Sequence, residues 1–213
     1  MDWYAWHARY DDPGSDLARR LALVQDRIRI ALDDAPPGPL RVISLCAGQG
    51  RDLIGVLAGH PRRGDVTARL VELDPRNTEV ARRLAAEAGL TGLEIVTGDA
   101  ALTSAYADLV PAGLVLACGL FGNMTHDHIR ATIGYCTQLC ATGGTVVWTR
   151  GRAEPDLVPQ VCAWFEELGF ERLWVSDPGY RYGCGAHRFT ATPAPLARGA
   201  TMFAFGRGPR GTT

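Results

Sequence analysis

The fold of this chain is decided by residues 44–52, which read Ser44-Leu45-Cys46-Ala47-Gly48-Gln49-Gly50-Arg51-Asp52. This stretch follows the apolar run Val42–Leu45, which is typical of a buried strand, and precedes a helical pattern that begins at about Arg51. Two glycines one residue apart let the backbone approach a ligand closely in front of a helix N-terminus. A tight turn without a ligand uses the same residues, so the pattern needs support from the rest of the chain.

Apolar runs alternate with helical patterns along most of the chain, which is typical of a parallel sheet covered on both faces. The predicted strands are Val42–Leu45, Ala68–Leu73, Leu93–Val96, Leu114–Cys118 and Thr145–Trp148. Helices are predicted to begin near Arg51, Pro75, Ala100, Thr125 and Glu154. Three more strands are predicted at Phe170–Val175, Gly183–Thr190 and Met202–Phe205. The expected fold class is therefore α/β with a doubly wound sheet.

A helix precedes this core and forms an N-terminal extension. Ser15 is suited to cap it, and its apolar face consists of Leu17, Leu21, Val24 and Ile28. The breaker Ala-Pro-Pro-Gly-Pro at 35–39 ends it. We expect one structural domain in two parts, an N-terminal lid and helix at 1–39 and a ligand-binding part at 40–213, with a frayed end from Gly206 onward.

The composition excludes several classes of protein. With 46% hydrophobic and 21% charged residues, the 213-residue chain is neither disordered, collagenous nor a coiled coil. Its 22 basic residues are all arginine and nearly balance 23 acidic ones, giving a net charge of −1, so nucleic acid is a poor default partner. The absence of lysine excludes Schiff-base and Walker-type chemistry.

The same composition bears on location and metals. No run is long and apolar enough for a membrane span, and the N-terminus lacks a signal-peptide pattern, so we expect a cytoplasmic protein without membrane contact. The six cysteines stand singly, mostly in apolar runs, and we expect them reduced and buried with no metal site. The oligomeric state stays open, a homo-oligomer included.

Acidic residues follow two of the predicted strands at the edge where ligands bind in parallel sheets. Glu72 ends the second strand, 24 positions beyond Gly48, where a ribose-binding carboxylate belongs. Asp99 follows the third strand and can accept a hydrogen bond from an adenine amino group. Each acid alone is also consistent with a helix N-cap. Together with the glycine-rich stretch they indicate a nucleoside ligand.

The dinucleotide fingerprint G-x-G-x-x-G is not satisfied, because Leu53 stands at its third glycine. Over about residues 40–170 the sequence instead resembles the class I S-adenosylmethionine-dependent methyltransferases. More narrowly, Cys-Ala-Gly-Gln-Gly-Arg-Asp, Val-Glu-Leu-Asp-Pro and Phe-Gly-Asn resemble a bacterial subgroup. The resemblance implies a Rossmann-like, seven-stranded, mostly parallel sheet with strand order 3-2-1-4-5, and S-adenosylmethionine as cofactor.

Carried over by position, the resemblance implies which residues contact the cofactor. Ala47, Gly48 and Gly50 match the glycine-rich segment, Glu72 the ribose acid and Asp99 the adenine acid. Two positions depart from the family pattern. Ser44 stands where the family usually has an acid near the end of the first strand, and Cys46 stands where it usually has the first glycine. The whole set predicted to contact the cofactor is Cys46, Ala47, Gly48, Gly50, Glu72, Leu73, Asp99, Ala100, Cys118, Gly119 and Asn123.

The segment after the fourth strand, residues 118–124, is where the family positions the sulfonium and the methyl acceptor. It lacks the Asn-Pro-Pro-Tyr motif of enzymes that methylate nucleic acid bases. His126 is the first candidate for a general base and His7 the second, although His126 also fits a solvated helix start. The predicted acceptor-binding residues are Trp6, Tyr10, Phe121 and Arg150. His187 is expected to be structural.

The resemblance implies methyl transfer from S-adenosylmethionine to an oxygen or nitrogen of a small molecule. Two alternatives stay open: an enzyme that consumes this cofactor without methyl transfer, by cyclisation or as a lyase, and a non-catalytic nucleoside-binding module. We expect residues 2–12 to form a lid over the site, or else to plug the following helix through Trp3 and Trp6. The implied strand order predicts that the thiols of Cys46 and Cys118 lie near one another.

Overall fold

The computed structural model describes residues 2–205 and contains seven strands and six α-helices in that range. The strands are β1 Leu40–Leu45, β2 Val66–Glu72, β3 Leu93–Thr97, β4 Ala112–Ala117, β5 Cys140–Gly151, β6 Phe170–Val175 and β7 Tyr182–Phe189. The helices are α1 Trp3–His7, α2 Asp16–Asp34, α3 Arg51–Leu57, α4 Pro75–Glu87, α5 His126–Leu139 and α6 Val158–Glu167. Short 3₁₀ turns cover Ala8–Asp11, Pro61–Gly64, Thr103–Tyr106 and Phe121–Asn123.

All seven strands form one sheet in the order β3-β2-β1-β4-β5-β7-β6. The first five strands are parallel, and β7 runs antiparallel to both β5 and β6. This confirms the expected fold class and the implied strand order 3-2-1-4-5. Parallel pairing brings the carboxyl ends of β1, β2, β3 and β4 to the same edge of the sheet.

The sheet is buried on both faces, which explains why its central strands are almost continuously apolar. On one face, α2, α3 and α4 cover a cluster that includes Val42, Leu114 and Leu116. On the other, α5 and α6 cover a cluster that includes Leu45 and Trp148. We refer to these as the α2–α4 face and the α5–α6 face. No helix within residues 2–205 combines the length and apolarity that crossing a membrane requires.

The structure differs from the sequence prediction in three elements. The helix predicted from Ala100 is only the 3₁₀ turn Thr103–Tyr106. The strand predicted at Met202–Phe205 is wrong, because pairing there is limited to one bridge between Thr201 and Leu102 while β6 and β7 already complete the sheet. The last helix begins at Val158 rather than Glu154. The frayed end expected from Gly206 lies outside the described residues.

His187 is fully buried in β7 at the centre of an aromatic stack. The indole Nε1 of Trp148 donates a hydrogen bond to His187 Nδ1 at 3.0 Å, and the Phe165 ring stacks on the imidazole at 4.7 Å between centroids. Burial lowers the pKa of His187 from 6.5 to about 3, with a smaller contribution from Arg172. The neutral imidazole is thus part of the core packing, which agrees with the expectation from the sequence that His187 is structural.

We predict that stability falls with acidification from pH 6.5 because of His187. Below pH 6.5 His187 is protonated in the unfolded chain, whereas in the native protein it stays neutral down to about pH 3. The free energy of unfolding therefore falls by about 1.4 kcal/mol per pH unit in this range. Chemical unfolding at pH 7 and pH 5 should therefore differ by about 2 kcal/mol from this group. In His187→Phe that pH dependence should shrink, whereas the exposed control His126→Ala should keep it. An unchanged slope in His187→Phe would refute the assignment.

Candidate active site

The glycine-rich loop after β1 has a left-handed backbone at both glycines, a conformation that glycine adopts readily because it has no Cβ. Gly48 and Gly50 have positive φ values of 56° and 64°. A Cβ on Gly50 would lie 2.8 Å from side-chain carbons of both Ile54 and Leu70, so α3 packs closely against the sheet there. The loop is closed by a hydrogen bond from Gly50 N to Ala47 O at 2.9 Å. The predicted G-x-G turn therefore exists and opens α3 directly.

Glu72 links this loop to the end of β2. Its Oε2 accepts a hydrogen bond from Gly48 N at 3.0 Å, and its Oε1 accepts one from Asp74 N at 2.9 Å. Each carboxylate oxygen has a second lone pair, so Glu72 retains acceptor capacity for a ligand hydroxyl. The pair of bonds holds the carboxylate at the sheet edge, where the sequence predicted it.

Asp99 lies beyond β3 at the same edge and is exposed. Its Oδ1 accepts a hydrogen bond from Ala101 N at 2.9 Å, and within residues 2–205 its other oxygen has no such partner. Leu73 directly follows Glu72 in sequence, and its side chain is 71% exposed. The structure thus brings together two carboxylates and an exposed apolar side chain.

Cys46 has a positive φ of 49°, the only such non-glycine value within residues 2–205. This conformation explains why the resembled family has a glycine at that position. Burial raises the pKa of the Cys46 thiol above its usual range, and the carboxylates of Glu72 and Asp99 add to the effect. Cys46 is therefore a thiol beside both acids, kept in its neutral form.

The prediction that Cys46 and Cys118 lie near one another is wrong. Cys46 packs with the cluster on the α5–α6 face, and Cys118 packs with the cluster on the α2–α4 face. β1 and β4 pair in parallel with Ser44 opposite Leu116, and Cys46 and Cys118 each stand two positions further along. Regular strand alternation would therefore put both cysteine side chains on the same face of the sheet. The left-handed backbone at Cys46 interrupts that alternation and turns its side chain to the face already occupied by Leu45.

Hydrogen bonds from and to polar side chains hold the backbone of the segment after β4 in place. Gly119 has φ 81° and donates its N–H to Thr149 Oγ1 at 2.8 Å, and Asn123 Nδ2 donates to Gly119 O at 3.3 Å. Arg150 Nη1 donates to Phe121 O at 2.5 Å, and burial lowers the pKa of this arginine. The Phe121 ring is 0% exposed and packs against Trp148 in the core, and its contact with an acceptor stays a prediction.

The N-terminal segment, residues 2–12, lies against the glycine-rich loop. A Cβ on Gly48 would lie 2.4 Å from His7 Nε2, so the imidazole covers this glycine directly. Arg76 binds Asp2 at 2.9 Å, and Arg51 binds Asp11 at 2.6 Å, so both ends of the segment are held by arginines of the core. Trp3 is 41% exposed, which argues against the alternative that this side chain plugs the apolar face of the following helix.

His7 has a defined tautomer in this arrangement. Its Nδ1 lies 2.6 Å from Trp3 O, and because a carbonyl only accepts, Nδ1 carries the proton and Nε2 has the lone pair. Burial lowers the pKa of His7, partly opposed by the bond to Trp3 and by Glu72. A neutral imidazole with its basic nitrogen at the loop is thus present at the site.

His126, the first candidate base, is exposed at the start of α5, with Thr125 as its helix cap. Its ring faces Trp164 of α6, with centroids 6.5 Å apart. The geometry therefore favours His7 over His126 as a group beside the loop. The assignment of a base remains a prediction.

Arg20 is a residue of this site that the sequence analysis did not select. It is 8% exposed and lies at the start of α2, with its guanidinium nitrogens 4.0 Å from the position of a Cβ on Gly119. The signal was present in the sequence, because Arg20 stands on the helical stripe that contains Leu17, Val24 and Ile28.

We predict that Cys46→Gly leaves the free energy of unfolding within about 1 kcal/mol of the parent, because relief of the left-handed backbone offsets the lost side chain. Cys46→Val should instead destabilise by about 2 kcal/mol, since β-branched residues tolerate this conformation worst. The control Cys162→Val, in the regular helix α6, should cost less than about 1.5 kcal/mol. Equal costs for the two valine variants in denaturant titrations would contradict the account.

No protein-family model and no curated protein match this chain. Solved structures do match. An O-methyltransferase family protein from Burkholderia thailandensis aligns at TM-score 0.60 and 18% identity, covering 90% of this chain and 64% of that one. The CurJ carbon methyltransferase aligns at TM-score 0.68 and 15% identity, covering 86% and 58%. The chain thus spans less than two thirds of the length of either protein.

Magnesium protoporphyrin IX methyltransferase from Synechocystis PCC 6803, solved with bound S-adenosylmethionine, aligns at TM-score 0.65 and 15% identity, covering 87% of this chain and 89% of that one. Other matching structures are described as rRNA methylases. The neighbours therefore share an architecture and differ in what they methylate. This chain has the seven-stranded fold of the class I S-adenosylmethionine-dependent methyltransferases.

Proposed function

We propose that this protein transfers a methyl group from S-adenosylmethionine to an oxygen or nitrogen of a small molecule. The observation that carries the proposal is the convergence of the glycine-rich loop, Glu72 and Asp99 at the carboxyl edge of a methyltransferase-type sheet. In a sheet of this kind the ligand lies beyond the strand ends. The solved neighbour with bound S-adenosylmethionine supports the choice of cofactor.

The residues present fit this cofactor. The unpartnered oxygen of Asp99 suits an adenine amino group, the exposed Leu73 suits the apolar face of the base, and Glu72 suits the ribose hydroxyls. The methionine end would lie along Gly48 and Gly119, where backbone approach is unobstructed by a Cβ. When bound, the cofactor supplies an activated methyl group on a sulfonium.

The protein's own contribution is mainly alignment. Holding the acceptor atom in line with the methyl group can supply roughly 7–11 kcal/mol of the barrier reduction. His7 Nε2 is the proposed base for an acceptor that must lose a proton, because it is neutral and faces the loop. A base of this kind contributes roughly 10²–10⁴-fold.

A small acceptor suits the site better than a nucleic acid. Residues 2–12 cover the glycine-rich loop, and Trp6, His7 and Tyr10 form a packed aromatic cluster there. The net charge of −1 offers no general attraction for a phosphate backbone. We propose that residues 2–12 act as a lid that opens to admit the cofactor, because His7 covers Gly48, and then closes over the bound cofactor.

We predict that Glu72→Gln weakens binding of S-adenosylmethionine by about tenfold to one hundredfold. The change removes the charge from hydrogen bonds worth about 1.5–3 kcal/mol. Glu79→Gln, an exposed position on α4, is the matched control and should bind as the parent does. Calorimetric titration measures both. Equal affinity of parent and Glu72→Gln would exclude the ribose assignment.

We predict that deleting residues 1–12 leaves a folded protein whose affinity for S-adenosylhomocysteine drops at least tenfold. The lid contributes Trp6, His7 and Tyr10 over the loop, and it shields the site from water. A purely structural segment would instead lower the melting temperature and leave the affinity intact. Calorimetry together with thermal melting distinguishes the two, and a truncated chain with unchanged affinity and melting temperature would exclude both.

Formation of a methylated product and S-adenosylhomocysteine tests the proposed reaction itself. An enzyme that consumes S-adenosylmethionine by cyclisation or elimination would release other sulfur compounds. A nucleoside-binding module would bind the cofactor and leave it intact. Mass spectrometry of the cofactor after incubation with candidate acceptors separates these outcomes.

A further inference from the structure

Arg20 is a buried cation that pairs with no carboxylate among residues 2–205. It is 8% exposed, and no carboxylate within residues 2–205 lies within the 4.0 Å that defines an ion pair with it. Its hydrogen bond to protein is donated by Nη2 to the hydroxyl of Tyr10. The arginines around the lid behave differently, because Arg51 and Arg76 both bind carboxylates.

Aromatic rings surround the Arg20 guanidinium. Its central carbon lies 5.2 Å from the ring centre of Tyr182, 5.4 Å from that of Trp6 and 5.8 Å from that of Tyr10. Such contacts stabilise a cation electrostatically and still provide no anion. The nitrogens that do not bind Tyr10 keep their donor capacity, since guanidinium has five N–H groups in a planar fork.

Arg20 lies at the part of the sheet edge that β4, β5 and β7 form. Both of its terminal nitrogens face Gly119, which follows β4, and Tyr182 begins β7 where that strand pairs with Gly151 at the end of β5. The contacts proposed for the nucleoside part of the cofactor follow β2 and β3 instead, and Gly119 is proposed to lie beside its methionine end. The Arg20 cluster therefore extends from the methionine end, at Gly119, toward Tyr182 and the end of β5, on the side away from the nucleoside.

A buried arginine costs free energy unless an anion or strong acceptors accompany it, because arginine stays charged. Asp52 is the acid whose charge interacts with Arg20, and burial raises the pKa of the Asp52 carboxyl. Its Oδ1 accepts a hydrogen bond from Leu53 N, and no ion pair within residues 2–205 joins it to Arg20. An anionic ligand would complete the cluster.

We propose that Arg20 binds a carboxylate of the methyl acceptor, and that the neighbouring rings of Trp6 and Tyr182 favour a flat organic body next to that carboxylate. The inference rests on the proposed function and extends it to a substrate class, the planar organic acids. Arg150, the arginine that the sequence indicated for this task, donates Nη1 to the carbonyl of Phe121, and its buried Nε has no hydrogen-bond partner within residues 2–205. Arg20 is distinguished by its position, because both of its terminal nitrogens face Gly119.

The test measures ligand binding in the parent protein saturated with S-adenosylhomocysteine. Benzoate is the probe and benzamide its neutral counterpart of the same shape. Protein-observed NMR titration should show saturable binding of benzoate and at least tenfold weaker binding of benzamide. Absence of benzoate binding at millimolar concentration, or equal binding of the two, would overturn the proposal.

Variants then assign the effect to Arg20. Arg20→Met should lose benzoate binding by tenfold or more, and Arg20→Lys should restore part of it. Arg19→Met is the matched control, because Arg19 is the preceding residue of α2 and its side chain is 58% exposed. Retention of benzoate binding in Arg20→Met would overturn the proposal. If Arg20→Met does not fold, the benzoate and benzamide comparison in the parent still decides.

The cofactor also has a carboxylate, and the same variants distinguish it from that of an acceptor. We expect Arg20→Met to bind S-adenosylhomocysteine and 5′-methylthioadenosine, which lacks the amino-acid part, as the parent does. Weaker binding of S-adenosylhomocysteine alone would assign Arg20 to the cofactor and overturn the acceptor proposal. Failure of the parent to bind S-adenosylhomocysteine would refute the proposed function separately.

Discussion

The hydrogen bond from Gly48 N to the Glu72 carboxylate is the constraint on which the rest of the site depends. It ties the loop after β1 to the end of β2, and the second Glu72 oxygen fixes the turn into α4 through Asp74. Because a Cβ on Gly48 would collide with His7, the same glycine determines how closely residues 2–12 approach. One carboxylate thus positions a loop, a helix start and the covering segment.

The covering segment is held mainly by charge and aromatic contacts rather than by apolar burial. No residue of α1 or the following 3₁₀ turn is buried, whereas ion pairs hold Asp2 and Asp11. Exposed ion pairs contribute little each, typically under about 1 kcal/mol. A segment attached in this way can leave and return at small cost in free energy, which suits an entrance that a ligand must pass.

Arg20 and His187 show two ways in which this fold accommodates a buried polar side chain. His187 becomes neutral, accepts the indole N–H of Trp148 and stacks on Phe165. Arg20 stays charged and is surrounded by ring faces at the open edge of the sheet. The histidine completes a core, whereas the arginine retains donors toward the site. The difference follows from position, because only the second lies beyond the strand ends.

The sequence by itself determined the alternation of strands and helices, the glycine-rich turn and the placement of Glu72 and Asp99. These features depend on local periodicity and on the short reach of backbone turns, both of which neighbouring residues encode. Tertiary structure alone decided which face Cys46 occupies, that Phe121 is buried, and that Arg20 meets Gly119 across 99 positions of chain. Such contacts depend on a left-handed residue and on helix packing across the sheet, and neither produces a periodic signal in the sequence.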